Sequence, residues 1–188
     1  MNIQLYKKEN VIKHYISIWG DEYRSLKWEK GPFEDLGEDF CVLEFPPRES
    51  RDMWTYSTCC MSDSFDNRPM ELHLFSPTKD DSLVELLTII AHFHRFDEKL
   101  GLWHTVNFGK PWKYGSECSY GLISLPYLDG PELEIFDIGK GEEVHFYWLI
   151  PVTKAEVDYK KQMGIDRLEE MFEAKEFNYV DPLRKSIV

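Results

Sequence analysis

The stretch 144–158, VHFYWLIPVTKAEVD, decides the fold class. Its first seven residues are apolar on both alternating faces, the pattern of a central strand covered on each side. Directly after it, Thr153-Lys-Ala-Glu156 forms a capping box. A threonine hydroxyl accepts from the amide three residues on, and the glutamate carboxylate reaches back to the capping amide. Val152 and Val157 stand at the staple positions around that box. The helix it opens is expected to run to about Met163, where Gly164 can break it. A last helix is expected over about 166–174, with the remaining C-terminal residues extended or looped.

Working outward, four strands are expected at 23–28, 40–45, 53–61 and 70–75. Residues 53–61 are rich in Trp, Tyr, Thr and Cys, as strands are. In 70–75, Met70, Leu72 and Leu74 share one face against Glu71 and His73 on the other. Ser82-Leu-Val-Glu85 reads as another capping box, opening a helix to about Glu98 with Leu83, Leu86, Leu87, Ile90 and Phe93 as its buried stripe. Strands follow near 120–125 and 133–136. At the other end, apolar residues at helical spacing predict a helix over about 3–19, stopped by Gly20. The order helix, strands, helix, strands, helices is α+β: a mixed, mostly antiparallel sheet packed between helices. No internal repeat and no Pro/Gly/Ser linker divides the chain, so residues 1–188 read as one domain.

A chain of 188 residues can bury a real core without metals or disulfides. Aromatic residues make up 15% of it, which excludes a disordered chain. Acidic residues number 34 against 22 basic ones, a net charge of −12. Such a surface repels a phosphate backbone and attracts a basic partner, so nucleic-acid binding is not expected. The start lacks the apolar core of a signal peptide, and no apolar run approaches the length of a membrane span. A soluble cytoplasmic protein with no membrane contact is expected. Cys41, Cys59, Cys60 and Cys118 lack CxxC spacing and read as reduced structural thiols, with Cys59 and Cys60 on opposite faces of their strand.

Signatures of nucleotide, dinucleotide and metallopeptidase sites are missing, as is the nucleophile elbow. His92 and His94 are the best metal-like pair, yet residues two apart on a helix diverge by about 200°. A histidine at a helix C-terminus, against the helix dipole, is the better reading of this pair. No metal and no cofactor are expected. Two features point to protein binding instead. Glu34, Asp35, Glu38 and Asp39 surround Gly37 in an acidic loop, either a solvated turn or a contact surface for a basic protein. Trp54 and Tyr56 share one face of their strand, where they either fill core or wall a peptide groove.

The segment Trp54-Thr-Tyr56-Ser-Thr-Cys-Cys60-Met-Ser62-Asp63, with Asp66-Asn67-Arg68 after it, resembles the suppressor-of-fused domain. Residues 144–158 are similar to that family's strand leading into a Pro-x-Thr-x-x-Glu helix start. Gly164-Ile-Asp-Arg-Leu168-Glu and Val180-Asp181-Pro-Leu-Arg184-Lys are similar to its closing helix and tail. The likeness runs from about residue 40 to 186. It departs at Cys60, where the family usually has Gly, and one residue is missing before Asp66. The resemblance implies an α+β fold without enzymatic activity. It implies that a short partner peptide is held as an added strand, with Tyr56 and Asp66 as the contacting pair. The large second domain of the animal protein has no counterpart in this chain. Single-domain bacterial members resemble immunity proteins, so the expected partner is a cognate toxin, with a peptide segment of another protein as the alternative.

Overall fold

The structure, a computed structural model, describes residues 7–63, 66–139 and 141–188, without the side chains of residues 32 and 33. In chain order it runs α1 (Lys8–Trp19), β1 (Arg24–Leu26), a 3-10 turn (Pro32–Leu36), β2 (Cys41–Phe45), β3 (Trp54–Cys59), β4 (Met70–Ser76) and α2 (Ser82–Phe96). Then follow β5 (Thr105–Asn107), β6 (Cys118–Ser124), α3 (Pro131–Glu134), β7 (Ile135–Gly139), β8 (Glu142–Thr153), α4 (Lys154–Met163) and α5 (Ile165–Ala174). The expected start of α1 before residue 7 lies outside the described residues.

One mixed sheet joins all the strands in the order β1-β2-β3-β4-β8-β6-β5. Every pairing is antiparallel except β4 with β8. β8 is the axis. His145 pairs Met70 of β4 on one side and Ile135 of β7 on the other, and Trp148 likewise faces His73 and Ser124. β7 and β6 therefore follow one another along the same side of β8. From Trp148 to Thr153 β8 is buried on both faces, whereas His145 and Tyr147 are half-buried, so the apolar run of 148–152 is the part with no solvent side.

Alternate residues of the strands feed different cores. Val42, Tyr56, Leu72 and Leu149 pack under α2 with Leu83, Leu87 and Ile90. On the opposite face, Leu43, Phe45, Val144 and Phe146 pack under α1 with Val11, Tyr15 and Trp19. Further along that face, Phe75, Trp148, Ile150 and Val152 meet Val157 of α4 and Leu168 and Phe172 of α5. The sheet thus lies between α2 on one side and α1, α4 and α5 on the other, as expected for the α+β class.

Four local expectations are corrected. The face of β4 carrying Glu71 and His73 is not a polar surface, because both side chains are fully buried on the α1 side. Glu71 is tolerated there because Thr58 Oγ1 donates to its carboxylate at 2.6 Å and the Cys60 amide at 2.7 Å. Helix α2 has no capping box. Its N-cap is Asp81, Ser82 Oγ donates to Asp80 at 2.6 Å, and Glu85 pairs with Lys110 at 2.8 Å. The strand expected from 133 starts at Ile135, since Pro131 at the first helical position opens a short turn instead. Cys59 and Cys60 lie in the same core, because Cys60 leaves β3 with φ +62 rather than continuing its alternation. All four cysteines are free and buried.

Candidate protein-binding surface

The sequence candidates divide into three places. Tyr56 is in the core, fully buried. Its hydroxyl donates to Glu44 Oε2 at 3.0 Å and accepts from the Asp80 amide at 2.8 Å. Burial, and then the Glu44 carboxylate, push its pKa well above the usual phenol range, so it stays a neutral link between β2 and the start of α2. Trp54, at the first position of β3, is half-buried, with the Lys79 ammonium 5.6 Å from its ring centroid. The pair forms no open aromatic wall, because the ring of Tyr56 points under α2.

Asp66 lies at the other end of α2. Its carboxylate takes the Lys99 ammonium at 2.7 Å and faces His94 Nε2 at 3.4 Å. The α2 residues between Asp80 and His94 separate Tyr56 from Asp66 by roughly 20 Å at the helical rise. The structure therefore does not bring those two side chains together. His94 is buried rather than displayed at the helix end. Its Nδ1 accepts from the Leu100 amide at 3.0 Å, and Nε2 faces Ser62 Oγ at 3.2 Å. Burial, reinforced by Lys99, lowers its pKa and keeps the ring neutral. A neutral ring gains little from the helix dipole, which corrects the earlier expectation.

The acidic loop comes to the same end of α2. Leu36 and Phe40 plug into the α2 core, nearly fully buried, and Arg95 ties the loop down. Its guanidinium donates to the carbonyls of Leu36 at 2.6 Å, Cys60 at 2.6 Å, Met61 at 3.0 Å and Ser62 at 3.2 Å. One side chain of α2 thus fixes two loops. The apolar residues face inward, so Glu34, Asp35, Glu38 and Asp39 face solvent. Among the described residues, Asp35 alone of the four makes an ion pair, with His92 at 3.4 Å. Asp63, Asp97 and Glu98 add exposed carboxylates nearby. Sequence reading missed Arg95, because an arginine in the last turn of an amphipathic helix is an ordinary surface residue.

Beside this acidic end lies a groove of about 410 Å3 between α2 and β5, which ends the sheet. Ile89 and Phe93 of α2 line one wall, Thr105, Val106 and Asn107 the other, and Trp103 one end. Among the described residues no group of three or more His, Cys, Asp or Glu side chains could hold a metal ion. No described helix is long and apolar enough to cross a membrane.

The family model of suppressor of fused protein (SUFU) matches residues 38–185. Among solved structures, a suppressor of fused homolog from Neisseria gonorrhoeae FA 1090 superimposes with a TM-score of 0.83. It is 29% identical, and the match covers 96% of each chain. A chain of the Sufu-Fu complex matches at a TM-score of 0.68 and 14% identity, over 96% of this chain and 91% of that one. Drosophila Suppressor of Fused matches at 0.66 and 13% identity, over 94% of this chain and 50% of that one, which shows the shared fold. No curated protein sequence matches the chain.

Proposed function

Given that the chain belongs to the suppressor of fused family, we propose that it is a non-enzymatic, cytoplasmic protein-binding domain acting as an immunity protein or antitoxin. It neutralises a cognate toxin, which is a nuclease in the form we favour, by covering its working surface. The observation that carries this reading is the acidic end of α2. There Leu36, Phe40 and Arg95 anchor a loop whose carboxylates stay in water. A fixed array of like charges steers an oppositely charged partner and selects against others. Asp66 and the half-buried Trp54 border this α2 side of the molecule and belong to the candidate contact set. Tyr56 contributes by holding β2 against the start of α2.

A second reading draws on the α2–β5 groove. An edge strand beside an apolar trough can take a peptide as an added strand, with main-chain bonds for affinity and pockets for side chains. One experiment separates the two. The chain is used to affinity-purify partners from its own host at low and high salt, with mass spectrometry of what elutes. One basic protein released only by high salt is the expected result. An empty eluate overturns both readings, and several partners sharing one short segment select the groove.

A further inference from the structure

On the far side of the sheet, a cavity of about 370 Å3 opens between β8, the C-terminal half of α5 and the Tyr127–Leu128 turn. Its walls are aromatic: Trp148, Phe172, Phe177 and Tyr179. The Trp148 and Tyr179 rings stand at 89° with centroids 5.0 Å apart, two adjacent sides of a box. Phe172 and Phe177 stack at 4.2 Å to extend it. At the mouth, Tyr127 and Leu128 are 58% and 43% exposed, a high cost for apolar surface that stays uncovered.

The rim is acidic. Glu169, Glu173 and Glu176 line the cavity, and none makes an ion pair among the described residues. Three of the neighbouring cations are already committed, and Lys175 at the end of α5 is exposed to solvent. Arg184, 5.3 Å over the Phe177 ring, is paired with Glu156, Arg51 with Asp129, and Arg167 with Glu170. Glu169 accepts from the Tyr127 hydroxyl at 2.9 Å. Burial, with the charges of Asp166 and Glu173, raises the pKa of Glu169. Burial, with the Glu169 carboxylate and then Glu134 and Glu173, pushes the Tyr127 hydroxyl up to about 12. The mouth is thus a site of concentrated negative potential.

Ring faces and unpaired carboxylates together suit a cation on an apolar stem. We propose that the cavity is a socket for one arginine side chain of a basic protein partner that docks on the α5 face. The stem lies on the aromatic walls, and the guanidinium sits between ring faces and the Glu169 and Glu173 carboxylates. Arginine is chosen over lysine because its planar head both stacks on rings and forks to carboxylates. This inference rests on the reading of the chain as a protein-binding domain with a basic partner.

The test uses the full chain and the peptide acetyl-Gly-Arg-Gly-amide, followed by the indole resonance of Trp148 in NMR titration. The expected result is a saturable shift at Trp148. The citrulline analogue, which keeps the shape but replaces the guanidinium by a neutral urea with fewer donors, should bind roughly tenfold more weakly. The Glu169→Gln/Glu173→Gln variant, with an otherwise native spectrum, should lose most of that discrimination. No shift at millimolar peptide, or equal binding of the citrulline form, overturns the socket. If the peptide fails while wild type and double variant recover the same host protein, the socket falls and the protein-binding reading stands. If the peptide binds as expected and the host yields no partner, the protein-binding reading falls and a cation site remains.

Discussion

Cys60 is a non-glycine residue at φ +62, a left-handed conformation that costs about 1 kcal/mol for an ordinary side chain. Three contacts hold it there: its amide and that of Met61 donate to Glu71, and its carbonyl accepts from Arg95. A position at φ +62 suits glycine, the residue that the resemblance implies is usual here. Cys60→Gly should therefore change stability by less than about 1 kcal/mol, relief of strain offsetting a looser unfolded chain. Cys60→Val, whose branched side chain resists this conformation, should cost about 2 kcal/mol or more. Urea midpoints measure both, and equal losses would refute the backbone explanation. His73 gives a second residue-level prediction. It is fully buried, and neither ring nitrogen has a hydrogen-bond partner. Burial, aided by Arg51 and opposed by Asp129, lowers its pKa to about 4. The unfolded chain titrates near 6.5, so it takes up the proton first as pH falls. Stability is full above pH 6.5 and declines towards pH 4, by about 3 kcal/mol for this group. His14 and His94 are shifted in the same direction and add to the loss. His73→Phe, with Trp19 and Phe75 rings already 5.2 and 5.3 Å away, should flatten the decline between pH 7 and 4.5. Parallel denaturation curves for the two proteins would exclude His73 as a source.

Among elements, the junction of β8 and α4 carries the most concentrated chemistry. The capping box there is complete: Thr153 accepts from the Glu156 amide, and Glu156 Oε2 accepts from the Thr153 amide at 2.7 Å. Glu156 is fully buried and also takes Arg184 through two nitrogens, at 2.7 and 2.8 Å, while Arg184 reaches the Pro151 carbonyl at 2.8 Å. The two distant sequence motifs, 144–158 and 180–185, therefore meet as one latch that closes the tail over α4. Removing one side of a buried pair strands the other charge, at about 3–5 kcal/mol. Arg184→Met should lose that much, and Glu156→Gln/Arg184→Met less than the two single losses combined. A loss below about 1 kcal/mol for Arg184→Met in chemical denaturation would refute the latch. The Thr153 box was legible because all its partners are local in sequence. The Ser82 box misled because the helix already includes Ser82, with Asp81 as its N-cap; the serine hydroxyl turns back to donate to Asp80, and Lys110 from a distant loop takes Glu85. The acidic loop was legible from composition alone. Arg95, the α2–β5 groove and the aromatic cavity were not, because each joins segments far apart in the chain and no local periodicity marks them.

For the whole molecule, the division of labour follows the two faces of the sheet. The α2 side presents the acidic loop and groove, and the α5 side the aromatic cavity. Charge at such exposed positions is nearly free of folding consequences, since isolated surface carboxylates contribute within about 0.5 kcal/mol each. Its consequence lies in association. Replacing Glu34, Asp35, Glu38 and Asp39 by their amides removes four of the charges behind the net −12. The unfolding midpoint should hold, with at most a small loss from the Asp35–His92 pair. The association rate with the basic protein recovered from the host should fall several-fold at low salt. At about 0.5 M salt the difference should vanish, because the screening length is then shorter than the reach of the loop. Stopped-flow mixing of wild type and variant across a salt series makes the measurement. Steering by the loop predicts that rates converge as salt rises while dissociation barely changes. A change confined to dissociation would mean that the loop makes direct contacts instead. Equal rates at every salt concentration would remove it from the binding surface.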